Sequence, residues 1–183
     1  MTWPRGVPRA SVLPPVKSAV VIRHLFISPG HNFFGRHGQP AGTHPAHDVR
    51  SVRCRAGLGL EGDRFFGYRP DYNGQITFFS WETLEAARRE FRRPDLAPDV
   101  FRRNVVVAGV HLNELAGTRF SLGGVDFEGV GEAKPCYWMD QVVAPGAETW
   151  LRGRGGLRAK ILSDGALHCG PAELYAHGLL ALG

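Results

Sequence analysis

The chain has three cysteines, and each sits in a different chemical setting. Cys136 follows Pro135 in the run Gly131-Glu132-Ala133-Lys134-Pro135-Cys136. Proline fixes the backbone entering the turn, and a lysine stands two residues before the thiol. If a helix begins there, its free N–H groups and dipole favour the thiolate, the form that attacks electrophiles and binds soft metals. Spacing alone leaves an ordinary turn cysteine as the plainer reading. Cys54 alternates with Arg53 and Arg55 on the apolar side of a strand pattern and reads as core filling. Cys169, in His168-Cys169-Gly170-Pro171, ends the last strand as a partly exposed thiol; redox pairing with Cys136 would require a disulfide between them.

Two glycine-flanked or strand-edge charge groups are the next candidates. Gly62-Asp63-Arg64 needs a tight turn that aims one carboxylate and one guanidinium, and Arg102-Arg103-Asn104 sets two guanidiniums and an amide at the mouth of a strand. Both suit an oxyanion or phosphate, and both could equally brace two loops. His31, His37, His44 and His47 crowd one segment, and His44-x-x-His47 has the spacing of a ligand pair. No cysteine pair is near to complete a zinc site, so solvated loop histidines are the expectation. A Walker loop, a complete dinucleotide fingerprint and a Gly-x-Ser-x-Gly elbow are all absent from the sequence.

These groups need elements to hold them. Val20 to Ile27 reads as a first strand, ended by Ser28-Pro29-Gly30, and His31 to His47 as a long irregular loop. Val52 to Ala56 and Gln75 to Phe79 read as strands; Ser80 caps a helix from Trp81 to about Phe91. Asn104 to Val107 is a buried-type strand, and Gly123-Gly124 joins Thr118–Leu122 to Val125–Val130 as a hairpin. Short helices are expected at Cys136 to Val143 and Glu148 to Arg152. Asp164-Gly165 is expected to turn the strand Leu157–Leu162 back onto Ala166–His168. About seven short strands and one prominent helix predict a β-barrel or sandwich with helical decoration. Residues 1–18, with prolines at 4, 8, 14 and 15, read as a flexible arm, and 19–183 as one domain.

Composition narrows the class. With 43% hydrophobic and 21% charged residues, the 183-residue chain can build a core; three cysteines are too few for a disulfide scaffold at this length, and their odd number leaves at least one thiol free. The longest apolar runs fall short of the ~20 residues of a membrane span. A cytoplasmic protein without membrane or nucleic-acid partners is expected. The net charge of +5, with 19 of its 22 basic residues arginine, favours a small anionic partner.

Taken in order, these pieces resemble the MOSC family, named for the C-terminal domain of molybdenum-cofactor sulfurase. The resemblance runs from Ile27-Ser28-Pro29 through Gly59-Leu60-Glu61-Gly62-Asp63-Arg64, Gln75-Ile76-Thr77 and Arg102-Arg103-Asn104-Val105-Val106-Val107. It continues through Leu112 to Gly123 and Pro135-Cys136, and ends at Gly153-Arg154-Gly155-Gly156-Leu157-Arg158-Ala159. It implies a mainly antiparallel β-barrel with a few helices around it. It also implies that Cys136 is the key thiol, either a molybdenum ligand in a pterin cofactor or a sulfur-carrying persulfide. Some members of the family reduce N-hydroxylated bases. Asp63, Arg64, Arg103 and Asn104 match its motifs and are implied pocket residues, with Arg154 a further candidate. The implied partners are the anionic molybdopterin and either a cysteine desulfurase or an electron-transfer protein. The alternative is a non-catalytic anion-binding module in which Cys136 is structural. Pyridoxal phosphate, attached to the family through multidomain sulfurases, is not expected in a chain with three lysines. Phe65 stands where the family often has histidine after Gly-Asp-Arg, Gly170-Pro171 replaces a terminal Gly-Asp, and the histidine loop is an insertion.

Overall fold

The computed structural model describes residues 16–36 and 38–176. The first fifteen residues of the expected arm and His37 of the histidine loop lie outside the described residues. Val16 to Ser18 already belong to the first strand. In chain order the strands are β1 (Val16–Ile27), β2 (His47–Asp48), β3 (Ser51–Arg55), β4 (Gly59–Leu60), β5 (Ile76–Ser80), β6 (Val105–Ala108) and β7 (Arg119–Leu122). They continue with β8 (Val125–Glu132), β9 (Leu157–Ile161), β10 (Gly165–His168) and β11 (Gly170–Ala176). The α-helices are α1 (Trp81–Glu90), α2 (Trp138–Val142) and α3 (Ala147–Trp150).

Seven strands close a barrel in the order β11-β7-β8-β9-β5-β6-β1, with β1 returning to β11 and β2 added beyond β1. The barrel is mixed, which corrects the antiparallel expectation: β5 and β6 run parallel, Phe78 opposite Val105 and Ser80 opposite Val107. A parallel pair needs a crossover between its strands, and α1 supplies it. The helix starts where the sequence says it should. Ser80 Oγ accepts the Thr83 amide at 3.1 Å, Glu82 sits in the first turn, and Arg88 and Arg89 sit in the last.

Alternation along the strands fills the barrel. Phe78, Phe120 and Phe127 meet at its centre, with ring centroids 5.3–5.8 Å apart. A second apolar cluster lies outside the barrel, where Phe79 and Phe101 pack with Leu84 of α1, Trp138 and Met139 of α2, and Ala147 of α3. The β7–β8 hairpin turns on Gly123 and Gly124, whose φ of 58° and 84° are the paired positive values of a tight two-residue hairpin turn.

The expected β9–β10 hairpin does not form. Instead β10 pairs with β3, Gly165 opposite Cys54 and His168 opposite Ser51, in a small separate sheet β10-β3-β4. Asp164 makes the switch: its carboxylate accepts Ala56 N at 2.8 Å and Arg55 Nη1 at 2.9 Å, drawing the turn across to β3. The local turn signal is correctly placed, but its strand has a different partner.

Candidate functional site

Three chain segments bring all of the expected residues but Arg154 to or behind one cavity. The first is the end of β8, where the register against β9 shifts between Gly129 and Gly131. Such a bulge bends a strand and re-aims the residues beyond it. Gly129 is required there, because a Cβ would overlap the Leu115 carbonyl. The re-aimed segment is Ala133-Lys134-Pro135-Cys136. The second segment is Arg102-Arg103-Asn104, entering β6, and the third is Asp63-Arg64, after β4. Between them lies a cavity of about 350 Å³ whose lining includes Cys136, Arg64, Arg102, Arg103, Asn104 and His31.

Asp63 and Asn104 form the buried joint behind this cavity. Asn104 Oδ1 accepts from Thr77 N at 3.1 Å and Thr77 Oγ1 at 2.9 Å, and its Nδ2 donates to Phe26 O at 3.1 Å and Asp63 Oδ2 at 3.3 Å. Asp63 also accepts from Ser28 N, Phe65 N and Arg64 Nη1, at 3.1, 3.1 and 3.2 Å. One carboxylate thus joins the exit of β1, the loop after β4 and the start of β6. Its side chain is 2% exposed, a burial that only such full satisfaction makes tolerable.

The three arginines are held differently. Arg64 donates to Asp63 and lies over the Phe65 ring, 5.0 Å from its centroid; burial lowers its pKa and the Asp63 charge works against that. Arg102 adopts a left-handed backbone, φ 56°, and donates to Ser28 Oγ, Gly30 O and His44 O at 2.9, 3.0 and 3.3 Å. Burial, with Arg64 as a nearby like charge, brings its guanidinium down to about 10. Arg103 donates from all three nitrogens to backbone carbonyls: Nε to Gly155, Nη1 to Phe101 and Nη2 to Ala133, at 3.0, 3.0 and 2.7 Å. Burial, then the charge of Arg158, brings it down to about 10, so it remains a cation at neutral pH.

Cys136 stands just ahead of α2. Its carbonyl accepts Met139 N at 2.8 Å, and its side chain is exposed to the cavity. The expected helix from Cys136 therefore begins two residues later, and the thiol sits at its approach. All three cysteines are free. Cys54 is fully buried, and burial pushes its thiol up to about 12; burial also raises Cys169, which donates to Val49 O at 3.5 Å. Cys169 does not line the cavity, so a redox pair with Cys136 gains no support from their placement. Native-state alkylation and peptide mapping are expected to show Cys136 labelled first and Cys169 more slowly. Cys54 should react only on unfolding; labelling of Cys54 in folded protein would contradict the assignment.

A family model for the MOSC domain matches residues 37–172. The chain belongs to the MOSC domain family. That family is associated with molybdenum-cofactor binding. No curated protein matches the sequence. Among solved structures, the chain is similar to the YuaD protein from Bacillus subtilis at 19% identity and a TM-score of 0.71, over 91% of this chain and 100% of that one. It is also similar to YiiM from Escherichia coli (20% identity, TM-score 0.59, 87% and 70% of the two chains). YiiM from Geobacillus stearothermophilus gives 14% identity and a TM-score of 0.60, over 85% and 74%. At these identities the likeness establishes the fold.

Within this MOSC domain the residues expected from sequence separate into three groups. Cys136, Arg64, Arg103 and Asn104 line the cavity; Asp63 braces it from behind; Arg154 lies elsewhere. The Arg154 guanidinium stacks over Trp150, 4.5 Å from the ring, and lines a separate cavity of about 200 Å³ with His111 and Asn113. Sequence reasoning missed His31, Tyr72 and Arg158 as lining residues, although Arg158 lies in the matched Gly-Gly-Leu-Arg-Ala run. The signal available for Arg158 is the β9 alternation, which turns Leu157 and Ala159 inward and Arg158 outward.

His31 is the member of the histidine loop that reaches the cavity. Its ring meets Phe65 edge-on at 4.8 Å, so an imidazole comes from the histidine loop to the place where position 65 has only a phenyl ring. Burial, with Arg64 and Arg102 adding like charge, holds it below the ordinary histidine range against a smaller opposing effect of Asp63. His44 instead touches Gly30, and His47 lies in β2. Among the described residues no three His, Cys, Asp or Glu side chains gather as a metal site, so the His44-x-x-His47 spacing is not joined by a third ligand there. Nor is any described helix long and apolar enough to cross a membrane.

Proposed function

We propose that this MOSC domain binds molybdenum cofactor in the Cys136 cavity and acts as an oxidoreductase on N-hydroxylated substrates, with Cys136 Sγ as the protein's ligand to the metal. The observation that carries the reading is the meeting of an exposed thiol with several cations in one cavity. A thiolate is a soft ligand suited to a thiophilic metal, and guanidiniums suit the phosphate of a pterin. At about 350 Å³ the cavity has the size of a small-molecule site, and Phe65, Tyr72 and Trp138 give it flat apolar walls. The residues present therefore fit the group.

When bound, the cofactor supplies a two-electron redox centre able to reduce an N–O bond. The chain's own part is to hold and orient. Arg103 pins Ala133 and Gly155, which fixes the approach to Cys136. Asp63 and Asn104 keep the loop after β4 and the start of β6 in register behind it. His31, uncharged at neutral pH, is placed to exchange a proton with a substrate in the cavity. The exposed side chain of Cys136 favours this reading over a purely structural role.

Alkylation protection tests the ligand role. Protein reconstituted with molybdenum cofactor is expected to label at Cys136 at least roughly tenfold more slowly than cofactor-free protein, because a metal-bound thiolate is not a free nucleophile. Labelling of Cys169 should be the same in both. Equal labelling of Cys136 in loaded and unloaded protein would remove the thiol from the metal.

A further inference from the structure

Five cationic side chains line the cavity, and they are not equivalent. Arg64 is joined to Asp63 and reaches the Arg102 carbonyl, Arg102 ties Ser28, Gly30 and His44 together, and Arg103 is fastened to three carbonyls. All three already answer to acceptors within the protein. Arg158 and Lys134 have no hydrogen-bond or ion-pair partner among the described residues, and both are exposed.

The surroundings of Arg158 are built to leave it open. It is one of two outward cations on β9; the other, Lys160, is neutralised by Asp71 at 2.5 Å. Its register partner on β8 is Gly131, at the bulge, which brings no side chain to cover the guanidinium. Its partner on β5 is Thr77, which also lines the cavity. The charge of Arg158 is felt within the site, since it opposes protonation of both Arg103 and Tyr72. An unpaired guanidinium beside a like charge gains most from an arriving anion, which relieves the repulsion and fills a donor fork at once.

We propose that Arg158, assisted by Lys134, is the oxyanion-binding subsite of the cavity, receiving the phosphate or carboxylate of the occupying molecule, while Arg64, Arg102 and Arg103 are scaffold. This rests on the reading of the Cys136 cavity as a ligand site, but not on the metal. It reverses the sequence expectation, in which the Arg103-Asn104 and Asp63-Arg64 motifs grip the anion directly.

The test titrates metal-free protein with phenyl phosphate and, separately, benzoate at low ionic strength, tracking backbone amide shifts by NMR. The wild type should saturate, with the largest shifts at residues 133–136 and 158. Arg158→Gln should weaken binding roughly tenfold or more, the equivalent of one charge-assisted hydrogen-bonded contact, and Lys134→Gln should weaken it less. Preference for phenyl phosphate assigns the subsite to a cofactor phosphate, and preference for benzoate to a carboxylate-bearing substrate. The titration uses metal-free protein and anions without molybdenum, so loss of the metal-ligand reading would leave this result standing. Arg158→Gln changes an exposed side chain, and its melting temperature is the check that it folds. Wild-type affinity in folded Arg158→Gln, or no saturable response in the wild type, would overturn the proposal.

Discussion

Arg103→Ala is expected to lower the stability of the fold by about 3 kcal/mol, a drop in melting temperature of roughly 6–12 °C for a domain of this size. The three nitrogens of Arg103 donate to the carbonyls of Phe101, Gly155 and Ala133. Removing the side chain leaves three partly buried acceptors, each worth about 1 kcal/mol or more when paired with a charged donor. Desolvation of the guanidinium offsets part of this gain, which is why the sum stays near 3 rather than the larger value the bonds alone would give. Arg103→Lys should recover little, since one ammonium cannot reach three carbonyls set around a planar fork. Denaturant unfolding measures the effect directly: the midpoint should fall with the slope unchanged. A variant melting within about 1 °C of wild type would show that these carbonyls do not depend on Arg103. Because Ala133 leads into Lys134-Pro135-Cys136, the same substitution should also loosen the thiol's approach.

Much of the local structure was legible in the sequence, and the reason is that its signals are local. Ser80 with Glu82 and Arg88-Arg89 specified α1 at both ends, and Gly123-Gly124 specified the β7–β8 turn through the positive φ that both positions require. Pairing was less legible. Asp164-Gly165 did turn the chain, but whether β10 returned to β9 or crossed to β3 depended on Ala56 and Arg55, more than a hundred residues earlier. The parallel β5–β6 pair was hidden for a similar reason. One strand-helix-strand unit inside a run of hairpins leaves no periodic trace, and only the closed barrel reveals that Ser80 lies beside Val107.

The site divides the same way. Cys136, Arg64, Arg103 and Asn104 could be found because their motifs are contiguous and their residue types chemically marked. Their roles could not, because a guanidinium's partners are carbonyls dispersed along the chain. Arg103 reads in sequence as an anion fork and in the structure as a clamp on Gly155 and Ala133. Arg158 reads as one arginine among many until β9 places it outward beside Thr77 and across from a glycine. His31 is one of several loop histidines in the sequence until its ring is set against Phe65.

The second large effect concerns the thiol itself. A metal held by one protein sulfur loses that soft ligand when the sulfur becomes a hydroxyl, whereas the cavity walls, its cations and the Asp63–Asn104 joint remain intact. Serine is close to cysteine in size and the side chain is exposed, so Cys136→Ser should fold and melt like the wild type. It should nevertheless fail to retain metal. The most direct measurement is molybdenum and pterin content of wild type and Cys136→Ser purified side by side from a host that makes the cofactor. The account predicts molybdenum and pterin together in the wild type, and molybdenum reduced at least roughly tenfold in the variant at unchanged melting temperature. Equal metal and pterin in the two proteins, or none in either, would contradict it.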